Sequence, residues 1–125
     1  MTWLAIAAGA ALGAMLRFAT DRYFIAHKSP GFPYGTLVVN LAGSLILGLL
    51  TGLLLGAASS SSEGWTLVAA FVGTGFCGAL TTFSGFVSQV LDMSINPQHW
   101  KGTAYALGSV IVGFALATAG YALTV

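Results

Sequence analysis

Between Gly35 and Gly56 the chain runs without one charged residue. A helix needs about 20 apolar residues to cross the hydrocarbon core of a bilayer, so this stretch is long enough to span. Three further stretches share its character, and together they predict helices over 3–26, 35–56, 65–91 and 101–124. Arg17 interrupts the first, which places it inside a helix but near one membrane face. The connections are short. Residues 27–34 carry prolines that end one helix before the next begins. Residues 57–64 read as a polar, serine-rich turn, and residues 92–100 hold Asp92, Pro97 and His99. Trp3, Trp65 and Trp100 fall at the ends of spans, where interfacial aromatics collect.

Charge decides what the solvent is. Of 125 residues, 57% are hydrophobic and 6% charged, against about 25% charged in a soluble domain. So short a chain cannot hide that much apolar surface from water, so the fold class is an all-α integral membrane protein with one four-helix transmembrane domain over residues 1–125. A net charge of +1 leaves no nucleic-acid footprint. Cys77 is the one cysteine and cannot close an intrachain disulfide. The first apolar stretch runs into Arg17 without a processing site and reads as a retained helix. His27 and His99 lack metal-ligand company. No nucleophile has a base beside it, so enzymatic chemistry is not expected.

A bundle of four such helices has little interior, and a water-lined path through one copy is not expected; the chain should work as a dimer at least. Gly9 and Gly13 are four residues apart, as are Gly48, Gly52 and Gly56. Small residues at that spacing let backbones approach closely, within one subunit or between two. All four basic residues (Arg17, Arg22, Lys28 and Lys101) lie near the first and third connections, which the positive-inside rule would place in the cytoplasm.

Three polar constellations lie within the spans. Thr36, Asn40 and Ser44 form one stripe on the second helix. Asn40 either glues two helices, a contact worth about 0.6 kcal/mol in lipid, or donates its amide to a permeating anion. Tyr105 and Ser109 form a weaker stripe on the fourth helix, where a hydroxyl can also satisfy itself on its own backbone. The third helix carries Gly73, Gly75 and Gly78, then Thr81, Thr82 and Ser84. Each glycine weakens a helix by about 1 kcal/mol relative to alanine, and the mix predicts a break near the membrane centre. Broken backbone at that depth survives only where protein buries it or water reaches it. It exposes carbonyls that can hold a cation and amides that can meet an anion; the alternative is a glycine packing face. Phe83 and Phe86 share a face, and their ring edges are positive; ordinary lipid contact is the other use of such a pair. No acidic or lysine side chain falls in the interior of the last three spans. Arg17 either pairs with Asp21 or concentrates anions at a pore mouth.

With these residues in view, the chain resembles the Fluc (CrcB) fluoride channels. The likeness covers nearly the whole length and rests on GAMLRF at 13–18, GTLVVNLAGS at 35–44 and GFCGALTTFSGF at 75–86. It implies a passive, fluoride-selective channel of the bacterial inner membrane that exports cytoplasmic fluoride down its gradient. It implies an antiparallel, dual-topology homodimer with two pores and a central structural sodium ion. By motif position, the backbone carbonyls of Gly78 and Thr81 would hold the sodium. Asn40, Thr82, Phe83, Ser84, Phe86, Tyr105 and Ser109 would line the fluoride pore, and Arg17 would stand in its vestibule. Phe18 follows the arginine where many relatives carry a larger or polar-tipped aromatic, and Gly85 stands where a threonine is common, which removes one hydroxyl. The bias of basic residues also suits a heterodimer with a paralogous partner of opposite orientation. Two other functions compete: a proton-coupled small multidrug-type exporter, which needs an acidic residue in the membrane, and a non-transporting assembly subunit.

Overall fold

The computed structural model describes residues 1–57, 62–95, 97 and 99–125. Residues 58–61 of the turn expected at 57–64 therefore lie outside the described residues. Four helical spans are long and apolar enough to cross a bilayer, namely Thr2–His27, Tyr34–Gly56, Glu63–Ile95 and His99–Thr124. The described residues form no strands. The first two spans are continuous helices, α1 (Thr2–His27) and α2 (Tyr34–Gly56). Between them Lys28 is extended and Gly31 takes a φ of +119°, a backbone that suits glycine. Both reach one residue or so beyond their expected limits, within the usual fraying of helix ends.

The third span is built in pieces. It starts as α3 (Glu63–Val68), widens into a π-helix over Ala69–Cys77, and returns to α4 (Gly78–Leu80). Thr81 is extended, with φ −80° and ψ 157°, and α5 (Phe83–Ile95) follows. A π-helix of this length is uncommon and tends to mark functional sites. It falls on the segment whose glycines weaken the α form. α5 runs to Ile95 rather than ending at Leu91, so Asp92 belongs to a helix and not to a connection. The last span, α6 (His99–Thr124), starts before Lys101.

Packing explains why the third span changes course. Its first half lies along α1 and its second half along α6, while α2 packs mainly against α6. One straight helix could not serve both partners. The glycine spacings serve these contacts within one chain. A Cβ on Gly9 would strike the Phe71 carbonyl, and one on Gly13 the Phe76 carbonyl. On α2, Gly48 meets the backbone at Ala117, and Gly52 meets Tyr121 and Thr124. Gly56 touches little, with the Thr124 carbonyl 3.8 Å from its would-be Cβ. The most enclosed large side chain is Leu80, at the end of α4.

Candidate functional site

The third span opens between Leu80 and Phe83, and two side chains manage the backbone groups set loose there. In a continuous α-helix the N–H of Thr82 would bond to the Gly78 carbonyl. Here it donates to Asn40 Oδ1 at 2.9 Å, and Asn40 Nδ2 donates in return to the Thr82 carbonyl at 3.2 Å. The N–H of Gly85 would go to the Thr81 carbonyl. It donates instead to Thr82 Oγ1 at 3.2 Å, as a helix N-cap receives it. Two of the four N–H groups that such an interruption frees, those of Thr82 and Gly85, are thereby satisfied, as the interior of a bilayer favours. The orientation of the Asn40 amide follows from its partners, since a backbone N–H can only face the oxygen.

Asn40 therefore joins α2 to the third span, as the helix-gluing reading requires. The amide still has a second N–H that makes no hydrogen bond among the described residues. Ser44 does not continue the stripe as a free donor; its hydroxyl bonds back to the Asn40 carbonyl at 2.9 Å. The Thr81 hydroxyl likewise returns to the Cys77 carbonyl at 2.9 Å. Thr82 Oγ1 and Ser84 Oγ lie 3.3 Å apart.

A cavity of about 420 Å³ opens beside the break, and it gathers Asn40, Gly78, Thr82, Phe83, Phe86 and Ser109. Among the described residues lining it none is charged. The Phe83 and Phe86 ring centroids are 6.2 Å apart with a 35° tilt, and Phe86 lies 5.5 Å from Tyr105. Phe83 is 79% exposed in the single chain. Ser109 Oγ is buried and finds no hydrogen-bond partner among the described residues. A buried, unpaired hydroxyl is rare enough to need a reason. Ser84 lies apart from this cavity, on an exposed turn of α5.

Tyr105 belongs to a second polar cluster that the sequence reading did not resolve. Gln89 Nε2 donates to Thr36 Oγ1 at 2.8 Å, and Tyr105 Oη donates to Gln89 Oε1 at 3.2 Å. Thr36 is 4% and Tyr105 5% exposed. Gln89 went unnoticed because it lies beyond the glycine- and threonine-rich motif. Its distance along α5 gave a signal that was there to read: it sits one turn or so past Phe86, on the helix whose start carries the phenylalanines. Tyr105 and Ser109 also line a larger hollow of about 670 Å³, bounded by Ser29, Phe32, Trp100 and Lys101. The first connection and the start of α6 thus meet at one end of the bundle.

Arg17 does not turn to Asp21. Its Nη1 points to the Thr81 carbonyl at 3.5 Å, a distance at the outer limit of a hydrogen bond. The two carbonyls assigned to a cation by resemblance, those of Gly78 and Thr81, are thus both released from the helical ladder. Gly78 is exposed, and a Cβ there would meet nothing within 4 Å.

The model of the family described as CrcB-like protein, Camphor Resistance (CrcB), matches residues 4–121. The chain belongs to the CrcB family. Among its relatives, the protein named fluoride-specific ion channel FluC 1 of Frankia casuarinae is 40% identical over 98% of this chain and 95% of that protein. A protein of Rhodococcus jostii named fluoride-specific ion channel FluC 2 is 42% identical over 99% of both chains. The fluoride-specific ion channel FluC of Thermococcus kodakarensis is 41% identical over 96% of this chain and 93% of its own length.

Proposed function

We propose that this chain is a passive fluoride-selective channel of the cell membrane, not an enzyme, and that it works as an antiparallel pair of identical copies with two pores. The names of relatives similar over nearly their full length support the ion and the mode of action. One observation in the fold carries the reading furthest. Ser109, whose buried hydroxyl finds no hydrogen-bond partner among the described residues, lines the same uncharged cavity as Asn40 and the rings of Phe83 and Phe86.

Fluoride is small and tightly hydrated, so a pore must replace its water with donors and still release it. Neutral hydroxyls, an amide and ring edges do this without a fixed positive charge that would trap the ion. The path runs from the hollow bounded by Lys101 and Trp100, past Thr36, Gln89 and Tyr105, to Ser109 and the phenylalanines. The Tyr105 hydroxyl donates to Gln89 Oε1, so it offers the ion a donor only after that bond turns. Thr82 and Ser84 hold further hydroxyls at the break. Arg17, near the Thr81 carbonyl, contributes a positive potential at the pore entrance rather than a binding site.

The exposure of Phe83 and Gly78 supports the pairing. An aromatic ring and a backbone turn left open on one protomer are natural partners for a second copy placed upside down. The break in the third span then sits near the membrane centre in both copies. The carbonyls of Gly78 and Thr81 fit a monovalent cation such as sodium: they are neutral acceptors relieved of their helical donors, and the long Arg17 contact leaves Thr81 able to turn to an ion. When bound, such an ion supplies a fixed, non-titrating positive charge between the protomers. Fluoride efflux from vesicles containing Phe83→Ile or Phe86→Ile, set beside the native chain, tests the pore. Loss of efflux with the dimer intact supports it, and unchanged efflux in both removes the rings from the path.

A further inference from the structure

The side chains that open the third span do so in a specific way: each captures the one N–H that would otherwise cover a carbonyl. Asn40 Oδ1 takes the N–H of Thr82, which would cover Gly78 O, and Thr82 Oγ1 takes the N–H of Gly85, which would cover Thr81 O. These two carbonyls lie within one turn of each other among the four, from Gly78 to Thr81, that the break releases, and Thr81 O keeps only the long contact from Arg17 Nη1 at 3.5 Å. We propose that Asn40 and Thr82 are positioning residues for a monovalent cation site, acting as substitute acceptors that hold two helix donors away so that Gly78 O and Thr81 O face a cation. The proposal rests on the channel reading only for the identity of the cation site. It assigns Asn40 a role separate from any contact its second N–H makes with an anion.

The physics is a competition between acceptors. A helical N–H in a water-free setting will bond to the best acceptor in reach, because leaving it unpaired costs several kcal/mol. Remove the Asn40 oxygen, and the nearest replacement for the Thr82 N–H is Gly78 O, which heals the helix and occupies the carbonyl. Remove the Thr82 hydroxyl, and the Gly85 N–H returns to Thr81 O in the same way. Asn40 also ties the Thr82 carbonyl through Nδ2, so the clamp is two-sided and fixes the extended turn. Glycine at position 78 fits this role, since a Cβ there would stand beside the exposed carbonyl and nothing within 4 Å demands its absence for packing.

The test is thermal unfolding of the purified chain in detergent, with sodium chloride against N-methylglucamine chloride at equal ionic strength. The native chain should melt higher in sodium. Asn40→Leu and Thr82→Val should lose the sodium-dependent rise, whereas Thr82→Ser, which keeps the acceptor, should retain it. Phe83→Ile should retain it too while losing fluoride efflux, which separates this proposal from the pore itself. Should Asn40→Leu fail to fold, a 13C label on the Gly78 carbonyl of the native chain and of Thr82→Ser gives an independent reading. Its infrared band should shift when sodium replaces N-methylglucamine. A full sodium-dependent rise in Thr82→Val, no rise in the native chain, or an unmoved Gly78 band would each overturn the proposal.

Discussion

A single residue shows how an amide can be spoken for and still be useful. Asn40 answers the backbone of Thr82 with its oxygen and one N–H, so substituting it removes a structural clamp as well as a donor. Asn40→Leu leaves the Thr82 N–H to find another acceptor, and the cost of a buried donor left unmade is about 1–3 kcal/mol. The variant should unfold measurably earlier in detergent and lose most fluoride flux. Ser109 is the opposite case. Its hydroxyl finds no hydrogen-bond partner among the described residues, so Ser109→Ala should change stability by less than about 0.5 kcal/mol while slowing fluoride efflux. Paired melting curves and efflux traces check both, and a strongly destabilised Ser109→Ala would show a hidden structural partner. Arg17→Gln should lower throughput mildly at low salt and less at high salt, as screening predicts; a rise in throughput would contradict its role at the entrance. At this scale much was legible. Spacing and resemblance single out Asn40, Phe83, Phe86, Thr82 and Ser109, and the fold gathers them around one cavity. The hydrogen bonds of Ser44 and Thr81 to their own helices were not legible, because a hydroxyl stripe looks the same whether it faces a cavity or its own backbone. Gln89 carries no motif of its own, and only its place one turn past Phe86 on α5 points to it.

The elements make a different kind of claim. Four spans could be read from apolar length alone, with ends correct to within a few residues. The internal make-up of the third span could not. Glycines at 73, 75 and 78 announce a weak helix, but nothing local says that the weakness takes the form of a π-helix over Ala69–Cys77. That outcome comes from tertiary partners, with α1 on one half and α6 on the other. The close approach of α1 to the π-helix is the feature to test. Gly13→Ala would push a methyl into the Phe76 carbonyl, and overpacking of this sort costs about 1–3 kcal/mol. Thermal unfolding should show that loss, whereas Gly56→Ala, in open surroundings, should be nearly neutral. Equal effects of the two would mean that the glycine spacing on α1 does not set the helix distance.

For the whole molecule, the single chain leaves Phe83 and much of α6 exposed, including Val110 and Phe114. Lipid can cover aliphatic side chains, but the cavity beside the break needs a second wall before it can hold an ion away from lipid. Val110→Cys, at an exposed position beside that cavity, should therefore cross-link across an inverted pair. This chain, alone, should move fluoride passively. The direct measurement is halide release from vesicles that contain only the purified protein, with no proton gradient, followed with fluoride and with chloride electrodes. Rapid fluoride release is expected, with no chloride release above that of empty vesicles. Fluoride release that appears only when a proton gradient is imposed, or no release at all, would contradict passive transport.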